Sequence, residues 1–167
     1  MSTVLVVVLV LVGVGLMVAI FAIALAGVAR AAKRHEAAAR QEFPDAARVD
    51  SGALFFGQAS RGAAQLRGNG TLVLTSAEIV FKQWVVGREF RVAVASISAI
   101  ENPKSFLGKS QFVELLCVKF RDETGTEDAM AWRVRDLSGW TQAIERARSD
   151  AGGAASDADA STDRFPG

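Results

Sequence analysis

His35 and Cys117 are the only histidine and the only cysteine in the chain. A zinc site or a Cys–His nucleophile pair needs several such groups close together, and one of each leaves little to build with. His35 sits among Lys33, Arg34 and Glu36 in an alanine-rich, charged stretch, where a solvated helix position is expected. Cys117 lies in an apolar run, where a lone thiol acts as a small buried hydrophobe. It also excludes an intramolecular disulfide. Glu123 and Glu127 flank Gly125 in a polar segment and read as solvated turn charges. Gly68-Asn69-Gly70 has no following Gly-Lys-Ser/Thr, so it is not a phosphate loop. Asn-Gly favours a type I′ hairpin turn, and a turn is expected there. Asn69-Gly70-Thr71 matches a glycosylation sequon, read here as a chance match. No catalytic set, metal or cofactor is expected.

The stretch with most to offer a ligand is Asn102–Ser110. Lys104 and Lys109 bracket Phe106, Leu107 and Gly108. Two cations around an apolar tip suit an anionic headgroup surface, at about 1 kcal/mol per basic residue. Arg61, in an earlier loop, is the third cation assigned to this contact. The alternative is a loop whose Phe106 folds back into the core.

These groups must be positioned by something, and the most definite element is the first. Val4 to Ala29 contains no charged residue and no proline. As a helix it is about 39 Å long against a hydrocarbon core of about 30 Å, so it spans with tilt to spare. Ala24-Leu25-Ala26 has the small-x-small form of a signal cleavage site, but no Lys or Arg precedes the apolar run, and the run exceeds the usual signal length. An uncleaved single-pass anchor is expected. Arg30, Lys33, Arg34 and Arg40 follow the span. The positive-inside rule then puts the N-terminus outside and the remainder in the cytoplasm, at the inner membrane. Arg30, Lys33 and Arg34 serve as juxtamembrane anchors. Gly15, Ala19, Ala22, Ala26 and Ala29 fall on one helix face, a stripe that lets two helices approach closely, so a homodimer through the span is considered.

Beyond the anchor the chain divides into recognisable regions. The expected layout is a short N-terminal segment (1–3), the transmembrane helix (4–29), a solvated helical stalk (30–43) ended by Pro44, a linker (44–50), a β-rich domain (51–149) and a disordered tail (150–167). The net charge of +1 gives no basic field for nucleic acid. Strands are expected at Ala53–Gln58, more weakly at Arg61–Arg67, then at Thr71–Thr75, Glu78–Trp84, Glu89–Val94 and around Ile97–Ile100. Phe112–Phe120 is the longest, with Phe112, Leu116, Val118 and Phe120 on one face. Met130, Trp132 and Val134 alternate in the last. From Asp136 the period changes: Leu137, Trp140, Ile144 and Ala147 make one helix face, with Asp136 as its cap.

This order resembles bacterial pleckstrin-homology-like (PH-like) and GRAM-like domains. Gly70-Thr71-Leu72-Val73-Leu74-Thr75 followed by Glu78-Ile79-Val80-Phe81 is similar to a recurring hairpin of theirs. Arg91 to Ile100 is similar to the next strand, and Asp136 to Ile144 to the closing helix with its inward tryptophan. The resemblance implies an α+β, mainly β fold: a barrel of about seven antiparallel strands closed by a C-terminal helix. It also implies a non-enzymatic module that binds a protein or peptide at the inner membrane surface. Anionic headgroup binding is the alternative, although the first hairpin has only Arg61 and Arg67 where phosphoinositide binders cluster their cations. An enzyme subunit is a third, less supported class.

Overall fold

The structure, a computed structural model, describes residues 3–162. The chain forms two compact units, Met1–His35 and Glu36–Gly167.

The first unit is most of one helix. α1 runs Thr3–Glu42. Leucine, valine, alanine and isoleucine fill it with no internal proline. Leu11, Val12, Leu16, Met17, Ile20, Phe21 and Ile23 all stand exposed. Leu11–Glu42 contains a window long and apolar enough to cross a membrane, with a mean hydropathy of 2.7 and none of it buried. An apolar surface with no protein cover is what a hydrocarbon environment would solvate.

The second unit is α+β. Its elements are the end of α1, then β1 (Arg48–Gln58), β2 (Gly68–Leu74), β3 (Glu78–Gln83), β4 (Glu89–Ala93), β5 (Ile97–Glu101), the two-residue strands β6 (Ser105–Phe106) and β7 (Lys109–Ser110), β8 (Leu116–Arg121), β9 (Glu127–Arg133) and α2 (Leu137–Thr162). Seven strands form one antiparallel sheet in the order β4-β3-β2-β1-β9-β8-β5, and β6-β7 make a separate hairpin. The sheet is not closed: β4 and β5 are its two ends. The α+β class and the seven-stranded antiparallel sheet follow the expectation; closure into a barrel does not.

The sheet nevertheless curls. β1 and β4 are three strands apart, about 14 Å in a flat sheet, yet the rings of Phe55 and Phe90 lie 4.7 Å apart. β1 supplies much of the bend. It pairs with β2 through its first half and with β9 through its second, with a bulge in each register. Gly52 and Gly57 sit at those bulges with φ of 141° and 137°, conformations closed to L side chains. Inside the curve, Phe55, Leu72, Phe81, Val92, Val118 and Trp132 share one core with Trp140 and Ile144 of α2. Asp136 caps α2, its carboxylate accepting the Gly139 N–H at 3.0 Å. That bond, with Arg48 beside it, holds the acid below its ordinary range.

The outer face is covered in two places. Val73 and Val80 point away from the main core and are covered by Ala39, with Phe43, Ala46 and Val49 around them. The expected solvated stalk is therefore corrected at its end: Ala39 is buried, because β2 and β3 are apolar on both faces. The expected linker is corrected too. Pro44 and Asp45 make a tight turn, the Ala47 N–H donates to the Leu74 carbonyl at 2.8 Å, and β1 starts at Arg48. On the other side, Phe56, Leu115, Cys117, Ala129 and Ala131 form a second cluster roofed by Phe106 and Leu54.

Other expectations also change. Asn69 and Gly70 are not a turn. They lie within β2, paired with Leu54 and Ala53. The weak strand at 61–67 is a loop after a short 3-10 turn, Ala59–Arg61. The longest strand is β1, and β8 begins at Leu116, so Phe112 does not join its face. The expected tail is helical through Thr162, while residues 163–167, like 1–2, lie outside the described residues.

Candidate functional site

The residues assigned to a headgroup contact are mostly engaged within the domain. Leu107 and Gly108, at φ of 50° and 72°, make the tight turn between β6 and β7. This folds the hairpin onto the outer face, where Phe106 is half-buried against the Phe56 cluster. Lys109 turns inward: its ammonium donates to the carbonyls of Phe56, at 3.3 Å, and Gln65. Gln65 in turn bonds Gln58 through both its amide groups. The hairpin is thus latched to the β1–β2 loop. Arg61 lies with its guanidinium carbon 5.4 Å from the Phe90 ring centre. Lys104 is exposed, its carbonyl accepting the Ser110 hydroxyl at 2.8 Å. Of the four, Phe106 packs against the domain and Lys109 bonds its backbone carbonyls. Sequence pattern could not show this, because a lysine that caps carbonyls and one that meets headgroups look alike.

On α1, Arg30, Lys33 and Arg34 are exposed. Gly15, Ala19 and Ala22 are exposed as well, and Ala26 is half-buried.

The structure brings forward a different set. Outside α1, the exposed large hydrophobic side chains among the described residues are Leu66, Val85, Val86, Phe112 and Val113. They occupy three loops. The register relates those loops: Trp84 donates its N–H to the Asn69 carbonyl at 3.0 Å, Asn69 pairs with Leu54, Leu54 pairs with Arg133, and Arg133 reaches Gln111 at 3.1 Å. β3 and β8 both run parallel to β1, so the loops before β2 and after β3 lie at one end of the sheet and the loop before β8 at the other. Val85 is 92% exposed and Phe112 94%. The Val85 loop is held firmly, with the Trp84 indole donating to the Thr71 hydroxyl at 2.9 Å and the Gly87 N–H to the Gln83 carbonyl at 3.1 Å. Phe112 has φ of 57°, costing a bulky residue about 1 kcal/mol or more. Its N–H donates to the Ser110 hydroxyl at 3.1 Å. Arg67, Arg88 and Arg133 are exposed, the Arg67 guanidinium carbon 4.7 Å from the Phe56 ring centre. The signal in the sequence was Val85-Val86, two apolar residues left between the strands expected at Glu78–Trp84 and Glu89–Val94.

A second feature is the open side of the sheet. β5 has a strand partner, β8, along only one edge. Between its start and α2 lies a cleft of about 430 Å³ lined by Val94, Ile97, Glu145, Arg148 and Ala151. Arg148 donates to the Ser98 carbonyl at 3.3 Å. β4, the other edge, is instead dressed in charge. Arg91 bonds both Glu78 and Glu89, and Glu89 also bonds Lys82; such charges discourage strand addition.

Cys117 and Asp128 are buried ionisable groups with local explanations. Burial pushes the Cys117 thiol up to about 11, so at neutral pH it is protonated and a poor nucleophile. Asp128 is buried, which raises its carboxyl, but bonds from Gln58, Ser60 and Ala129 more than offset this and hold it low. No group of three His, Cys, Asp or Glu suited to a metal occurs among the described residues.

No family model and no curated protein matches the chain. Among solved structures, it is similar to the crystal structure of the C-terminal domain of an unknown protein from Leishmania infantum. That likeness has a TM-score of 0.49 at 15% identity, covering 68% of this chain and 96% of the other.

Proposed function

We propose that the chain is a membrane-anchored, non-enzymatic interaction module of the PH-like kind, binding an extended segment of a protein partner. The observation that carries this reading is the unclosed sheet edge at β5 with the cleft beside α2. An extended peptide added to such an edge gains backbone hydrogen bonds from the strand and specificity from the neighbouring pocket. Ala99 and Ile100 are half-buried, and β5 carries one charged residue, Glu101, so it lacks the charged dressing of β4. The PH-like assignment is supported by the run of antiparallel strands followed by a helix that buries Trp140 and Ile144.

The apolar α1 supports the anchor, and its basic flank supports an inward-facing domain with the N-terminus outside. A reporter fused after residue 167 tests the topology; an external reporter overturns the cytoplasmic assignment. For the partner, a photo-crosslinker at Ser98 is irradiated in native membranes and the products identified by mass spectrometry. A recurrent protein product lost in Ile100→Lys is expected. Absence of any recurrent product at Ser98 counts against the reading.

A further inference from the structure

Arg148 of α2 spans the cleft to β5. Its guanidinium donates to the Ser98 carbonyl at 3.3 Å and also meets Glu145, one turn back, at 3.4 Å. Ser98 is the residue that the β5–β8 register skips: Ile97 pairs with Phe120 and Ala99 with Lys119. Its carbonyl takes a donor from α2 where an added strand would supply a backbone N–H. Both Arg148 bonds are long, and the side chain is 30% exposed, so the tie is at the weak end of its kind. A backbone N–H aligned on the same carbonyl replaces it without leaving an acceptor unpaired. The freed guanidinium stays solvated beside Glu145.

The α2 wall of the cleft leaves space. Gly152 lies in the helix interior, where glycine is the least favoured residue after proline. A Cβ there would meet nothing within 4 Å, so packing inside the domain does not require glycine. What the missing side chain leaves open is the cleft itself, which Gly152 lines with Val94, Ile97 and Ala151. Val94 and Ile97 are buried and give this space an apolar floor. At about 430 Å³ it has room for a bulky apolar side chain.

We infer that Arg148 is a removable tie across the β5 edge, and that the segment displacing it seats one bulky apolar side chain in the space beside Gly152. Leucine, isoleucine, methionine and phenylalanine fit that description. The residue that donates to Ser98 is not proline, which has no N–H. The inference rests on strand addition at β5 and names what the added strand must carry.

The test uses the full chain in native membranes, with a diazirine side chain at Ser98 that leaves the carbonyl in place. The yield of the recurrent crosslinked product is compared among the native chain and three variants. Arg148→Ala is expected to raise it at least twofold, because the competing donor is gone. Gly152→Leu is expected to lower it at least fivefold while the thermal midpoint of the β domain holds or rises, since leucine suits a helix better than glycine. Gly153→Leu, the same change at an exposed neighbour that does not line the cleft, is expected to leave the yield near the native value. Mass spectrometry is expected to place the adduct within about three residues of one of the four bulky apolar types, a span the extended chain covers in roughly 10 Å. A yield unchanged or lowered by Arg148→Ala, in a domain that still unfolds cooperatively, overturns the tie. Equal yields from Gly152→Leu and Gly153→Leu overturn the seated side chain. In both cases a product from the native chain leaves strand addition standing. No recurrent product from any of the four chains removes strand addition and the inference together.

Discussion

Asp128 of β9 accepts two hydrogen bonds from Ser60, one from its hydroxyl at 2.7 Å and one from its backbone N–H at 2.9 Å. Together with the Gln58 amide, these bonds fasten the 3-10 turn after β1 to the start of β9. A carboxylate so provided keeps its charge despite burial.

This sets a pH dependence. The folded-state acidity of Asp128 is shifted below its ordinary 3.8, so as pH falls the unfolded chain takes up the proton first. The stability it contributes is complete above the unfolded value and declines as pH falls through the folded one. Asp128→Asn is expected to cost about 2 kcal/mol at pH 7. Urea unfolding between pH 7 and pH 3 should show the variant losing less than the native chain across the acid range.

The packing of Ala39 on Val73 and Val80 makes the end of α1 part of the β domain. Ala39→Asp puts a charge into that contact and is expected to destabilise the domain by about 1–3 kcal/mol. Ala38→Asp, one position away and exposed, is expected to change it by less than about 0.5 kcal/mol. A truly solvated stalk would make the two variants equivalent in thermal unfolding.

Lys109 holds the β6–β7 hairpin down through carbonyls of β1 and the following loop. Lys109→Met keeps the stem and removes the donors. Hydrogen exchange is expected to quicken at residues 104–110 and in the 59–67 loop while the sheet stays protected, with a cost of about 1–2 kcal/mol. Unchanged exchange in both segments would show that the latch contributes nothing.

Gly70 is expected to be intolerant for a strand reason, not a turn reason. A Cβ there would lie 2.4 Å from both the Phe81 ring and the Lys82 carbonyl. Gly70→Ala should destabilise by about 1–3 kcal/mol through overpacking. Asn69→Ala, exposed within the strand, should be nearly neutral, whereas a type I′ turn would feel both changes.

How much of this could be read in advance depends on the range of the interaction. The sequence by itself determined what is local. An uncharged apolar run long enough to cross a membrane marks α1 as a candidate span. Period-2 alternation placed most of β4 and β9, and the 3.6-residue period placed Leu137, Trp140, Ile144 and Ala147 on the face that α2 turns to the core. The tertiary structure alone decided what depends on a neighbour distant in the chain. Asn69-Gly70 became strand because Leu54 and Ala53 were there to pair with it, and tertiary pairing overrides a turn propensity. Phe106 and Lys109 turned inward because Phe56 and Gln65 offered an apolar face and two carbonyls. Phe112, patterned like a core residue, was left outside because β8 starts at Leu116. Burial and exposure are properties of the whole curled sheet, and no local period encodes which apolar side chain the curl leaves exposed.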